Sequence, residues 1–133
     1  MTGRTSGAPA RRRPTILVVD PYESTLDLFV TILGSIGCRA TTVTTGSEAM
    51  SRIRDSPPDL LITELCVPEV DGYELCRAVK QSKAIPVLVV TASVLPTLAS
   101  KAREAGADLV LEKPVEVAAF INAVRRLLPH SLI

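Results

Sequence analysis

Short apolar runs alternate with longer segments of helical periodicity between Pro14 and Leu128. Four runs are continuous and rich in β-branched residues, which is typical of strands buried on both faces of a parallel sheet. A fifth run is more polar and predicts a strand at the edge of that sheet. The four runs span residues 16–19, 60–62, 87–90 and 109–111, and the edge strand spans residues 39–44.

Helical periodicity fills the segments between the strands. Apolar residues from Tyr22 to Ile36 recur at spacings of three and four, which predicts one helix face and a helix end at Gly37. The same spacing from Val117 to Leu128 predicts a last helix. Five strands that alternate with five helices through short loops predict an α/β protein with a doubly wound sheet.

The three middle helices are recognisable by their ends. Thr45 and Asp71 each stand three residues before a glutamate, which is the capping-box spacing that opens a helix. A further helix is predicted over residues 96–105 and is stopped by Gly106. Its apolar stripe is thin, so we expect it to be the least firmly anchored of the five.

Composition narrows the function classes. A chain of 133 residues fits one domain. The net charge is +1, but residues 1–13 hold four arginines and no acid, which leaves 11 bases against 14 acids on the rest. This balance predicts no nucleic-acid-binding face. Three cysteines without a CxxC pair and a single histidine, His130, predict neither a disulfide framework nor a structural zinc site.

The chain divides into three predicted parts. Residues 1–13 are expected to be a disordered basic tail, residues 14–129 the folded domain, and residues 130–133 a C-terminal tail. No apolar stretch reaches the length of a membrane span, so we expect a cytoplasmic protein without membrane contact. Because the C-terminal tail is too short for an output domain, we expect a stand-alone module that acts through its surfaces.

Polar residues of selected types follow four of the predicted strands. Asp20, Glu64, Thr91 and Lys113 each stand where an apolar run ends. Since the carboxyl ends of parallel strands meet at one edge of a sheet, we expect these side chains to converge. Two carboxylates, a hydroxyl and a lysine suit the binding of a phosphoryl group and a cation. No dinucleotide, P-loop or nucleophile-elbow motif is present, so we expect no enzymatic activity.

The segments ILVVD, DLLITELCVPEVDG, PVLVVTA and GADLVLEKP carry a resemblance to a known family. Their order and spacing resemble those of response-regulator receiver (CheY-like) domains, from about Pro14 to Leu128. The resemblance implies a five-stranded parallel sheet of strand order 2-1-3-4-5. It also implies a role in two-component signal transduction and phosphorelay, and a cis peptide bond between Lys113 and Pro114.

The resemblance also assigns roles to the residues at the strand ends. Position 64 would be the phospho-acceptor, and Thr91 and Lys113 would contact the phosphoryl group. Asp20, the acceptor carboxylate and the main-chain carbonyl of Cys66 would surround a Mg²⁺ ion. The thiol of Cys66 is itself expected to pack as a small apolar group.

Three positions depart from the receiver pattern. The acceptor position holds Glu64 instead of aspartate, which moves the carboxylate about one bond further. Pro21 replaces the acid that would be the direct metal ligand, and it offers no ligand atom. Val110 stands three residues before the lysine, where receivers carry the aromatic switch residue. We therefore expect no Mg²⁺, and an ion pair between Glu64 and Lys113 in its place.

The departures predict an atypical receiver, or pseudo-receiver, that works through protein–protein interaction independently of phosphorylation. The partner would be a histidine kinase or a downstream signalling protein, bound through helix 4, strand 5 and helix 5, or through helix 1. The chain itself would be a monomer or a weak homodimer. Two alternatives stay open at this point. One is a working receiver that takes up a phosphoryl group with Mg²⁺, and the other is a small-ligand-binding module of flavodoxin type.

Overall fold

The computed structural model describes residues 12–92 and 95–129. Most of the predicted basic tail, the C-terminal tail and His130 lie outside these residues. Five strands and five helices alternate along the chain: β1 Thr15–Val19, α1 Glu23–Ser35, β2 Arg39–Val43, α2 Gly46–Asp55, β3 Leu60–Thr63, α3 Gly72–Ser82, β4 Val87–Thr91, α4 Pro96–Ala105, β5 Leu109–Glu112 and α5 Val117–Leu127.

The strands form one parallel sheet in the order β2-β1-β3-β4-β5. This is the α/β architecture and strand order that the resemblance implied. The inner strand β1 pairs with β2 on one side and with β3 on the other. The run at 109–111 was predicted to be buried on both faces, but its residues are only half-buried. The reason is that β5 is the second edge of the sheet and pairs with β4 alone.

Helices cover both faces of the sheet and bury two apolar clusters. Against one face, α2, α3 and α4 pack onto inward side chains such as Leu17 and Val89. Against the other face, α1 and α5 meet over Ile16 and Val90. The rings of Phe29 in α1 and Phe120 in α5 stack there with centroids 4.5 Å apart. The two clusters hold the strands rigidly, so that the loops at the strand ends are placed by the core.

Helix ends follow the sequence signals in most cases. The side chains of Thr45 and Asp71 accept hydrogen bonds from the main-chain N–H of Glu48 and Glu74, at 3.2 and 2.9 Å. Helix α4 covers the predicted residues 96–105 and buries only two alanines, Ala102 and Ala105. These observations confirm both caps and the thin stripe of α4.

Two apolar residues assigned to buried helix faces are in fact exposed. Tyr22 is 65% exposed and Val117 is 52% exposed. Tyr22 is the N-cap of α1 and Val117 is the first residue of α5. Both therefore stand where the chain has only begun to return over the sheet, and no neighbouring element covers them. No helix within the described residues is long and apolar enough to cross a membrane.

Candidate functional site

The four polar residues that end the strands come together at the carboxyl edge of the sheet. Asp20, Glu64 and Thr91 are 2%, 7% and 1% exposed. Lys113 follows β5, and its side chain is 19% exposed. Parallel pairing brings these strand ends to the same edge, which is why residues far apart in the chain form one buried polar site.

Lys113 bridges the two buried carboxylates. Its Nζ lies 2.6 Å from Asp20 Oδ2 and 3.0 Å from Glu64 Oε1. The predicted contact between Glu64 and Lys113 is confirmed, and the same ammonium group also pairs with Asp20. At 3 Å each attraction is worth roughly 5 kcal/mol at an effective dielectric near 20, before the cost of desolvation. One lysine therefore serves as the shared cation of the site.

Main-chain donors hold the remaining carboxylate oxygens. The N–H of Leu65 donates to Glu64 Oε2 at 2.7 Å, and the N–H of Tyr22 donates to Asp20 Oδ1 at 2.9 Å. All four oxygens of the two acids are thus engaged. Such backbone donors carry no residue signature, so sequence reasoning missed them.

The pKa values of the pair shift in opposite directions. Burial by itself would raise the pKa of Glu64, but hydrogen bonds with Thr91, Lys113 and the N–H of Leu65 outweigh it and hold this pKa below its ordinary value. Burial would likewise lower the pKa of Lys113, but the bonds to Asp20 and Glu64 raise it above its ordinary value. Glu64 and Lys113 are therefore both charged at neutral pH.

Two glycines allow the loops beside Glu64 to approach closely. A Cβ on Gly72 would lie 2.5 Å from the carbonyl oxygen of Glu64. A Cβ on Gly46 would lie 1.7 Å from the carbonyl oxygen of Val70, in the loop between β3 and α3. Helices α2 and α3 thus begin against the segment that carries Glu64, and a larger residue at either start would displace it.

The donor set does not fit a Mg²⁺ ion. Pro21 supplies no oxygen ligand, and both carboxylates are already bound to an ammonium group. No group of three or more acidic, cysteine or histidine side chains that could hold a metal occurs within the described residues. Mg²⁺ demands near-octahedral oxygen coordination and gives up its waters reluctantly, so this set would bind it poorly.

The site is flanked on one side by a mainly apolar surface, in which Asp71 is the one charged side chain among the described residues. A cleft of about 440 Å³ opens beside it, lined by Pro21, Leu65, Cys66, Val67, Pro68, Asp71, Tyr73 and Leu98. The thiol of Cys66 was predicted to pack, but Cys66 is exposed. It follows a buried leucine in a loop that turns outward after Glu64, so its side chain faces the cleft mouth. Cys38 and Cys76 are buried.

The switch position lies on β5 without an aromatic ring. Val110 pairs with Val89 of β4 and packs against the apolar cluster under α2, α3 and α4. The peptide bond between Lys113 and Pro114 is cis, as the resemblance implied. The structure thus brings together Asp20, Glu64, Thr91 and Lys113, while Val110 lies half-buried on β5 against the apolar cluster.

Comparison with known proteins agrees with this geometry. The sequence profile of the response regulator receiver domain matches residues 16–125. The chain belongs to the response regulator receiver family. It is 35% identical over 127 residues to the two-component response regulator ORR11 of Oryza sativa subsp. indica. The aligned region covers 92% of this chain and 84% of ORR11.

Other receivers share the same architecture. The polar-differentiation response regulator DivK of Brucella ovis is 27% identical over 114 residues, which covers 84% of this chain and 93% of DivK. The signal receiver domain of a signal transduction histidine kinase from Syntrophus aciditrophicus superposes with a TM-score of 0.79 at 32% identity, covering 86% of this chain and 89% of that domain. The receiver therefore belongs to the two-component signalling proteins.

Proposed function

We propose that this receiver signals through protein contacts without taking up a phosphoryl group. The observation that carries the proposal is the bridge from Lys113 to Asp20 and Glu64, at 2.6 and 3.0 Å. The bridge gives the site its positive charge from within the chain. A site whose two carboxylates already share a cation and are tied to the main chain holds one arrangement with no ligand bound.

The length of Glu64 opposes phosphoryl transfer. In-line attack needs one carboxylate oxygen to be accurately placed and available, and errors near 1 Å are costly. Both oxygens of Glu64 are bound, one to Lys113 and one to the N–H of Leu65. The attacking oxygen would first have to give up its hydrogen bond in a buried site.

The poor fit for Mg²⁺ supports the same conclusion. Phosphoryl groups carry charge that needs neutralisation in the transition state, and a metal ion is the usual means. Pro21 supplies no ligand for one. Asp20 and Glu64, the two buried carboxylates of the described site, are both bound to Lys113 and are not free to hold a cation beside a phosphoryl group. Catalytic turnover of any kind is not expected.

Signalling would then depend on surfaces that a partner recognises in this fixed state. Helix α1 exposes Leu28 and Val30, which are 52% and 38% exposed, and it follows the exposed Tyr22. Helix α4 is anchored by Ala102 and Ala105 and is preceded by the exposed Leu95. These two faces are the proposed docking surfaces for a protein partner, and α4 is the one that can shift with the smallest loss of packing.

Two single variants and their combination test the proposal. The wild type, Glu64→Asp, Pro21→Asp and the double variant are each incubated with acetyl phosphate and Mg²⁺, and their intact masses are measured. The proposal predicts that only the double variant gains the mass of one phosphoryl group, because only it has both the shorter acceptor and a metal ligand.

The identity of the variants that become labelled distinguishes the possible explanations. Rapid labelling of Glu64→Asp alone would refute the argument from the metal ligand. Labelling of the wild type that is lost in Glu64→Gln would overturn the proposed function and support a working phospho-accepting receiver. Circular dichroism on each variant establishes that it is folded before its mass is compared.

A further inference from the structure

Charges are strongly segregated between the two ends of the parallel strands. We define the site edge as the loops that follow the strands together with the first turns of the helices: residues 20–26, 43–49, 64–75, 91–92, 95–97 and 112–119. These segments hold nine acids and one base, Lys113. The acids are Asp20, Glu23, Glu48, Glu64, Glu69, Asp71, Glu74, Glu112 and Glu116.

The opposite end of the sheet carries the opposite charge. We define the far edge as the segments that precede the strands together with the last turns of the helices: residues 12–15, 32–39, 52–59, 79–86, 102–108 and 124–129. These segments hold ten bases against four acids. The bases are Arg12, Arg13, Arg39, Arg52, Arg54, Lys80, Lys83, Arg103, Arg125 and Arg126.

The topology explains why a chain of net charge +1 becomes so polarised. All five strands run in one direction, so every helix begins at the site edge and ends at the far edge. Four of the helices carry basic residues in their last turn, where they complement the helix dipole. Three helices carry an acid in their first turn for the same reason.

Helix dipoles reduce this polarity without cancelling it. Each helix contributes roughly half a unit of charge at either end, so five helices supply about −2.5 at the far edge and about +2.5 at the site edge. The side chains supply an excess of six bases at the far edge and of eight acids at the site edge. The far edge therefore stays basic and the site edge stays acidic.

Ion pairs within the far edge leave most of its bases available. Arg12, Arg54 and Lys80 pair with Asp59, Asp55 and Asp108. The other seven bases make no ion pair within the described residues and are exposed: Arg13, Arg39, Arg52, Lys83, Arg103, Arg125 and Arg126. The site edge presents seven acids outside the buried pair, and six of them are exposed.

We propose that the far edge of one copy binds the site edge of a second copy, head to tail. The two surfaces are complementary in charge and belong to the same chain, so each molecule carries both halves of the contact. The contact is heterologous, because it joins two different surfaces. When it is repeated, it produces an open row of copies instead of a closed dimer. It would cover the acidic surface around Glu64, and it does not depend on whether Glu64 takes up a phosphoryl group.

Surface composition favours this occupant over a membrane or a nucleic acid. The five exposed large apolar residues of the described chain are Tyr22, Leu28, Val30, Leu95 and Val117. None lies at the far edge, so that edge has no side chain to insert into lipid and no aromatic ring on which bases could stack. Binding to an acidic protein surface requires neither an inserted apolar side chain nor a stacking ring. Arginine pairs readily with the carboxylates of such a surface.

Sedimentation velocity measures the association. The wild type should sediment faster with rising concentration at ~50 mM NaCl, and its association constant should fall at least ~10-fold at ~500 mM NaCl, where charges on the surface are screened within a few ångströms. A wild type that stays monomeric at millimolar concentration and ~50 mM NaCl would overturn the proposal.

Complementary variants identify the two surfaces. One variant neutralises the far edge with Arg52→Gln, Arg125→Gln and Arg126→Gln. The other neutralises the site edge with Glu23→Gln, Glu112→Gln and Glu116→Gln. Each should lose self-association alone, yet a mixture should form a complex that stops at one copy of each, because only one complementary pair of surfaces remains.

Other outcomes assign the association elsewhere. If either variant associates alone as strongly as the wild type, the contact is isologous or uses another face, and the proposal is wrong. If a DNA duplex binds the wild type more tightly than a second copy does at the same salt, and the far-edge variant loses that binding, the face belongs to nucleic acid. The control Asp27→Asn with Arg77→Gln alters charges in the middle of α1 and α3 and should associate like the wild type.

Discussion

The two edges of the sheet place their charges in different environments. At the site edge, Asp20 and Glu64 are buried and share one lysine, with main-chain donors on the remaining oxygens. At the far edge, the pair of Lys80 and Asp108 is about one-third exposed on both sides. Buried charges are strongly coupled and costly to separate, whereas exposed pairs are screened by water. Substitution of a charged residue of the buried pair should therefore cost much stability at the site edge. Substitution in an exposed pair at the far edge should cost little.

The largest expected difference comes from removing one lysine at each edge. Lys113→Met leaves two carboxylates buried without their shared cation, and it should lower the free energy of unfolding by about 3 kcal/mol. Lys80→Met breaks the exposed pair with Asp108 and should cost under about 1 kcal/mol. Denaturant unfolding at pH 7 measures both.

Acidification separates this explanation from a simple loss of packing. Protonation of Glu64 removes one of the unpaired buried charges, so the deficit of Lys113→Met relative to the wild type should shrink near pH 4. Equal losses in the two lysine variants at pH 7 would contradict the distinction between buried and exposed pairs.

Two glycines in helices compare the edges without any change of charge. Gly46→Ala, at the start of α2, would force a Cβ to within 1.7 Å of the Val70 carbonyl oxygen. We expect a loss of about 2–3 kcal/mol from this overlap. Gly34→Ala, near the end of α1, meets no atom within 4 Å and should stabilise the protein by about 0.5–1 kcal/mol, since alanine favours helix. Thermal unfolding compares the two, and a destabilised Gly34→Ala would break the comparison.

The pH dependence of stability should differ between the edges by a smaller amount. The lowered pKa of Glu64 gives stability that is present above its ordinary value of 4.5 and is lost as the pH falls through the folded value. The raised pKa of Lys113 gives stability that is full below 10.5 and is lost as the pH rises through the folded value. At the far edge, a hydrogen bond with Arg12 is the largest cause that lowers the pKa of Asp59, and its contribution disappears on the acid side only.

Two substitutions separate the loss of stability at acid pH, the acid limb of the curve, from the loss at alkaline pH, its alkaline limb. Glu64→Gln should flatten the acid limb of the stability curve and also weaken the alkaline limb, because Lys113 loses a partner. Asp59→Asn should flatten the acid limb alone. Unfolding midpoints measured from pH 3 to pH 11 provide the curve, and an alkaline change in Asp59→Asn would contradict the assignment.

The sequence predicted the site residues but not how they are held. Asp20, Glu64 and Lys113 could be found because each ends an apolar run of a parallel strand. The bounds of α4 could be found because Pro96 and Gly106 mark them. The N–H groups that bind the carboxylates could not, since a backbone donor has no residue signature. Cys66 was misjudged because its short loop has no periodicity that shows which side chains turn outward.

The charge pattern was hidden for a different reason. A net charge of +1 sums over the chain and contains no direction. Only the parallel topology, with every helix returning to the same end, converts alternating acidic and basic segments into two opposite edges. The prediction of no nucleic-acid-binding face rested on this total, whereas the basic far edge depends on how the segments are arranged.

The most direct test of the central claim is an amide NMR spectrum of the wild type with and without Mg²⁺ and beryllofluoride, an analogue of a bound phosphoryl group. The amide signals of Glu64, Thr91 and Lys113 should stay unchanged, because Lys113 and main-chain N–H groups already bind both carboxylates. Saturable shifts at these residues that spread into α4 would show a site that accepts both groups, and would contradict the account.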